Sequence, residues 1–259
     1  MSVSCSEFEN TINKEELVVE TKIKSNKKQK FKSNKKNTSL IKPKELLNNQ
    51  NVRAKLIKYG QLHKEKNITI TTKFGDITIE LFDDTPLHRA SFIMLAKKKF
   101  FDSTIFYRVI NNFMIQGGNS DSDNIVDKMS KIGFYRIPSE ISPTHIHRRG
   151  AIAMAVREQY YDDPSKKDLS SSPYNFFIVQ KGPITDKYMD KLETRYEMKI
   201  SKKNRSIYKK YGGNPHLDNN YTVFGQVKKG MSVVDKISKE ITNGKDRPIE
   251  DVFLTVKVN

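Results

Sequence analysis

From Asn67 onward, apolar side chains recur at every second position over short stretches bounded by turn residues, the spacing of half-buried β-strands. Ile68 and Ile70 alternate with Thr69 and Thr71. Phe74-Gly75-Asp76 then turns the chain into Ile77, Ile79 and Leu81, which predicts a hairpin. Residues 105–110 and 113–116 flank Asn111-Asn112. Asparagine tolerates positive φ and bonds its own backbone, so a tight turn between paired strands is expected there. Further strands are predicted at 150–155, 175–179, 221–227 and 252–258, the first of them built almost wholly from small residues.

Helical spacing is rarer. Thr85-Pro86 reads as an N-cap followed by proline at the first helical position. The helix it opens runs to about residue 99, with Ala90, Ile93, Met94 and Phe100 as a stripe expected to cover one barrel end. A second runs from about 231 to 239 with Val233, Val234 and Ile237 inward. Weak spacing at 43–66 (Leu46, Leu47, Ala54, Leu56, Ile57) predicts a short helix lying on the domain. Loose spacing at 185–210, ended by Gly212-Gly213, predicts one or two surface helices inserted between core strands, read as solvated decoration. Residues 120–138 and 156–173 read as polar loops. Many antiparallel strands with two principal helices favour closure, which removes exposed edges. The expected fold is mainly β: a closed antiparallel eight-stranded barrel capped by two helices, plus the inserted surface helices.

Composition refines the domain plan. The 259 residues carry 36% hydrophobic and 30% charged side chains and a formal net charge of +17. Residues 1–66 hold 16 basic and 7 acidic side chains, so +9 of that excess sits in one quarter of the chain. The first 40 residues are rich in Lys, Asn and Ser and have too few large apolar side chains to offset chain entropy. Residues 1–66 are therefore expected to be a basic, largely disordered extension with a possible short helix. Residues 67–259 form the folded domain, with its insertion at about 183–213. The basic tail predicts weak contact with anionic surfaces, but no zinc-finger, basic-zipper or RNA-recognition signature accompanies it. The chain is expected to be monomeric.

Cys5 is the only cysteine, which excludes an intramolecular disulfide and a cysteine metal cluster. No apolar run approaches the roughly 20 residues needed to span a bilayer, so the chain as written is expected to be soluble and cytoplasmic. Ser2-Val3-Ser4-Cys5-Ser6 resembles the end of a bacterial lipoprotein signal. Translation from an upstream start would instead make Cys5 a lipidated anchor in the cell envelope. His145 and His147 stand two apart but lack a third convergent ligand, so no metal site is expected.

The candidate chemistry lies in Phe106-Tyr-Arg-Val-Ile-Asn-Asn-Phe-Met-Ile-Gln-Gly-Gly-Asn119. Strict alternation puts Phe106, Arg108 and Ile110 on one face, and Phe113 and Ile115 on one face of the next strand. A guanidinium in step with apolar neighbours is ion-paired, exposed at a rim, or aimed at a ligand. This run resembles the signature hairpin of the cyclophilin-type peptidyl-prolyl cis-trans isomerases, and the resemblance continues from about Asn67 to the C-terminus. It implies a cyclophilin-like barrel and a cofactor-free isomerase (rotamase) that assists protein folding by acting on proline-containing polypeptides. It further implies that Arg108 is the catalytic arginine, supported by Gln116, which also bonds the substrate backbone. Phe113, Met114, Phe177 and Leu217 match the walls of the proline pocket, and Ala155 the strand that meets the residues before proline. Three positions near the site depart from the family pattern and still count as substrate contacts. Asn175 stands where glutamine is usual, His216 where tryptophan is common, and Tyr221 where a rim histidine is usual. Val156 stands in place of a common asparagine. The alternatives are a proline-peptide binding or scaffolding module with little turnover, and salt-dependent nucleic-acid association through the Lys-rich terminus.

Overall fold

A computed structural model gives the fold, and it describes residues 45–119, 124–156 and 168–259. Cys5 and the first 40 residues, with the expectations placed on them, lie outside that range. Leu46–Asn259 is one compact unit. Its helices and strands, in chain order, are α1 (Val52–Leu62), β1 (Asn67–Thr72), β2 (Gly75–Leu81), α2 (Pro86–Lys97), β3 (Thr104–Ile110) and β4 (Met114–Asn119). They continue with α3 (Asn124–Ile132), β5 (Ala151–Val156), β6 (Ser171–Val179), α4 (Asp186–Tyr196) and α5 (Lys202–Tyr211), then a 3-10 turn (Pro215–Leu217), β7 (Val223–Lys229), α6 (Met231–Ile237) and β8 (Phe253–Val258).

The eight strands close into an antiparallel barrel in the order β1-β2-β7-β5-β6-β4-β3-β8, as expected. Ile68, Ile70, Ile77, Ile79, Phe106, Ile115, Ile152, Phe176, Ile178, Phe224 and Leu254 belong to its central core. Phe92 of α2 seals one end, stacking on Phe101 at 4.7 Å and meeting Phe176 edge-on at 5.5 Å. Far from showing one stripe, α2 buries every residue from Leu87 to Ala96. Thr85 occupies the N-cap position but makes no side-chain cap bond. The carboxylate of Glu140 takes its place, accepting from the backbone N–H groups of Leu87 (3.0 Å) and His88 (2.9 Å). The cap comes from a residue more than 50 positions away, which local pattern cannot show.

Two expectations are corrected. Within 120–138, α3 buries Ile125, Met129 and Ile132, an i, i+4, i+7 pattern that was legible. The inserted helices α4 and α5 are not mere solvated decoration. Met189, Ile200 and Tyr208 join Ile146 and Ile184 in a core of their own. The helix expected within 43–66 is α1; its Val52 and Leu56 enter the central core beside α2.

Strand β5 explains how the barrel wall carries a site. It alternates large and small: Ile152 and Met154 enter the central core, while Ala151 and Ala153 belong to a second apolar cluster. Strands β4, β5 and β6 are therefore buried on both faces, and the alanines keep the outer one shallow.

Candidate active site

The outer face carries a row of paired residues across five strands. Arg108 (β3) stands opposite Gln116 (β4), Gln116 opposite Phe177 (β6), Phe177 opposite Ala153 (β5), and Ala153 opposite Val223 (β7). The β3–β4 hairpin and three strands distant from it in sequence thus bring the arginine and the apolar wall into one line. The row depends on a β-bulge. The register shifts between Phe106 and Arg108, leaving Tyr107 as the extra residue. Phe106 enters the central core, while Ile110 packs with the outer cluster. Likewise Ile115 belongs to the central core and Phe113 to the outer cluster. Strict alternation grouped Phe106 with Arg108 and Phe113 with Ile115; the bulge overturns the first grouping, and Phe113, in the turn before β4, overturns the second.

The outer cluster unites Met114, Phe177, Leu217, Val179 and Val223 with the half-buried Phe113 and Tyr221. Tyr221 meets Phe177 edge-on at 5.5 Å. The Asn111-Asn112 turn is present, with Asn112 at φ 56°. The backbone carbonyl of Phe113 is held from three sides, by the N–H groups of Gln180 (2.9 Å) and Lys181 (3.2 Å) and by Asn214 Nδ2 (3.0 Å). Those bonds tie the hairpin tip to the end of β6 and to the turn that carries Leu217.

Arg108 is half-buried, and its Nε donates to Asp246 Oδ2 at 3.3 Å. Gln116 Nε2 donates to the Tyr107 hydroxyl at 2.6 Å. The ion pair that orients Arg108 therefore comes from Asp246, in the loop before β8, which also accepts the Val109 N–H through its backbone carbonyl (2.8 Å). Ala155 and Asn175 lie two positions beyond Ala153 and two before Phe177, at one end of the face, and both are half-buried. Asn175 Nδ2 donates to Ser172 Oγ at 3.2 Å, while its Oδ1 is buried with no hydrogen-bond partner.

His216 stacks on Phe113 (5.8 Å between centroids, 13° between planes) and on Tyr196 of α4 (4.9 Å, 15°). Burial, reinforced by the nearby His147, Lys181 and Arg195 and opposed by Asp218, lowers its pKa to about 4. It is a neutral ring at pH 7. Beneath Phe177 lies a buried network that the sequence reading missed. His147 stacks on Phe177 at 5.9 Å, and Asp218 Oδ1 accepts from the His147 backbone N–H (2.8 Å) and meets Nδ1 (2.9 Å). Asp218 Oδ2 accepts from the Tyr208 hydroxyl at 2.6 Å. Burial and the Asp218 charge push the Tyr208 phenol far above its ordinary range. His145 instead stacks on Phe82 and pairs with Asp84 (2.7 Å), so the two histidines serve different partners. Among the described residues no cluster of three or more His, Cys, Asp or Glu could hold a metal ion. None of the described helices is long and apolar enough to cross a membrane.

Fold and site define a closed β-barrel with an apolar cluster on its outer wall and a guanidinium in line with it. The family described as cyclophilin type peptidyl-prolyl cis-trans isomerase matches residues 67–258, and the chain belongs to that family. It is 32% identical over 200 residues to a Streptococcus pyogenes protein provisionally named a bifunctional phosphatase/peptidyl-prolyl cis-trans isomerase. That match covers 76% of this chain and only 39% of the longer Streptococcus protein. A Staphylococcus haemolyticus protein, provisionally named a peptidyl-prolyl cis-trans isomerase, is 29% identical over 203 residues, covering 76% of this chain and 94% of its own. The fold matches a Cryptosporidium parvum cyclophilin type isomerase solved in the presence of the dipeptide Ala-Pro, with TM-score 0.51 and 21% identity. It covers 75% of this chain and 99% of that one.

Proposed function

We propose that Arg108, with Gln116 beside it, carries the peptidyl-prolyl cis-trans isomerase activity of this chain over a proline pocket formed by Phe113, Met114, Phe177 and Leu217. Rotation about an Xaa-Pro bond breaks amide resonance, with a barrier of roughly 18–20 kcal/mol. Uncatalysed exchange takes tens of seconds. No bond to a heavy atom forms or breaks, so neither nucleophile nor cofactor is needed. As the amide twists, the prolyl nitrogen becomes pyramidal and its lone pair localises. A donor aimed at that nitrogen stabilises the twisted state and not the planar ground state, which is differential transition-state binding.

The observation that carries this reading is the paired row Arg108–Gln116–Phe177. It sets a charged donor in line with an apolar wall. Asp246 engages only Nε of Arg108, so the terminal nitrogens are the groups assigned to the prolyl nitrogen. The unpartnered Oδ1 of Asn175 and the half-buried Ala155 suit a substrate backbone running along β5 before the proline. The Ala-Pro dipeptide of the Cryptosporidium structure fits the same class of ligand. The test is acceleration of cis–trans exchange in an Ala-Pro peptide by substoichiometric protein. Wild type is expected to accelerate it and Arg108→Ala to lose most of that effect. Equal rates in the two proteins would remove the assigned mechanism.

A further inference from the structure

Tyr196 carries the insertion at 183–213 to the rim of the proposed pocket. Tyr196 ends α4, where Glu197 takes a left-handed conformation (φ 50°) and its N–H caps Glu193. Its ring stacks on His216, and His216 stacks on Phe113. The result is a ladder of three near-parallel rings running outward from the pocket wall. Phe113 and His216 are half-buried and Tyr196 is 44% exposed, so the ladder keeps an edge in solvent. Aromatic edges carry positive partial charge and attract the face of another ring. Arg195 lies 5.4 Å from the Tyr196 centroid, a cation that suits the electron-rich face of an incoming ring. His216 is neutral at pH 7, so seating a ring beside it costs no desolvation of charge.

With the substrate direction proposed above, the row order sets which part of a substrate arrives there. Ala155 and Asn175 lie on one side of the Gln116–Phe177–Ala153 row. Met114 pairs with Val179 on the other side, next to Phe113. A chain whose residues before proline follow Ala155 crosses the row at the pocket and leaves over Phe113 and the ladder.

We propose that Tyr196 is a specificity-determining residue: with His216 and Phe113 it receives an aromatic side chain on the residue that follows proline. This rests on the assignment of the proline pocket above and adds to it a substrate preference set by the insertion. Edge-to-face contact of this kind corresponds to roughly a 3- to 10-fold gain.

The experiment compares kcat/KM for two peptides, one with Ala-Pro-Phe and one with Ala-Pro-Ala at its centre. The proteins are wild type, Tyr196→Ala, Tyr196→Leu and Tyr196→Phe, each confirmed folded by thermal unfolding. The Phe-to-Ala ratio is expected to exceed one in wild type and to hold in Tyr196→Phe. It is expected to fall by about 3- to 10-fold in both ring-less variants. Tyr196→Leu keeps apolar bulk at the end of α4, so a fall there reports the ring rather than a disturbed insertion. A ratio of one in wild type, or one unchanged in Tyr196→Ala and Tyr196→Leu, overturns the inference while leaving the isomerase assignment intact. Failure of wild type to accelerate either peptide would instead overturn the pocket assignment itself.

Discussion

Replacing Tyr208 with phenylalanine removes one oxygen and tests whether the insertion braces the pocket. Tyr208 has no solvent-exposed surface, and its hydroxyl donates at 2.6 Å to Asp218 Oδ2. The other carboxylate oxygen is occupied by the backbone N–H and ring of His147. In Tyr208→Phe the ring still fills its site, so no cavity opens; the loss is a charge-assisted hydrogen bond to a carboxylate whose side chain is only 12% exposed. Such bonds are worth about 1.5–3 kcal/mol. For a folded unit of this size each kcal/mol moves the melting temperature by roughly 2–4 °C, so the expected fall is about 3–12 °C. Asp218 directly follows Leu217 and His216, and His147 lies under Phe177. Relaxation of the carboxylate should therefore loosen two walls of the proposed pocket, raising KM for Ala-Pro peptides more than it lowers kcat. The assays are thermal unfolding and peptide exchange on wild type, Tyr208→Phe, Asp218→Asn and the double variant. The two single effects are expected to be non-additive, because both remove the same bond. A melting temperature within 1 °C of wild type together with an unchanged KM would refute the bracing role of α5.

The other expectations concern charge. His216 and His88 both have pKa values lowered chiefly by burial, so the unfolded chain binds more protons than the native one as pH drops below about 6.5. Their stability contribution is complete above that pH and declines on acidification, for His216 down to about 4. The urea midpoint should fall between pH 7 and 4.5, less steeply in His216→Phe; a flat or rising midpoint in wild type would contradict this. Asp246→Asn keeps a residue that tolerates the left-handed backbone at φ 61° but removes the charge facing Arg108. Because both partners are partly solvated, stability should change by under about 1 kcal/mol. Exchange kcat should drop about 3- to 10-fold as the guanidinium loses its orientation, and an unchanged kcat would remove Asp246 as the positioning group.

The barrel was legible because alternation is local: Ile68 and Ile70, or Ile77 and Ile79, declare their inward face within five residues. The proposed pocket walls were assigned only through the family resemblance, since nothing near Leu217 points to Phe113, 104 positions earlier. The residues proposed to brace the site escaped for the same reason. Asp246, Tyr208 and Asp218 are ordinary polar side chains in sequence, and their partners show only once α5, the 3-10 turn and the loop before β8 are in place. Two misses had local causes. The bulge at Tyr107 breaks the period-two rule inside the most informative strand, where pairing with Gly117 and Gln116 rather than side-chain pattern sets the register. The α3 helix was hidden by its polar surroundings although Ile125, Met129 and Ile132 carry a helical period.

The central claim is that a single guanidinium, held in line with an apolar niche, lowers the barrier to rotation about a prolyl amide. Exchange in an Ala-Pro peptide, followed by NMR with wild type, Arg108→Lys and Arg108→Ala, addresses it most directly. Removal of one pre-positioned transition-state donor costs roughly 10²- to 10³-fold in rate. Arg108→Ala should show a loss of that order with its fold intact. Arg108→Lys should recover only part of it, because a point charge does not reproduce the planar fork. Folded Arg108→Ala exchanging the peptide as fast as wild type would contradict the account.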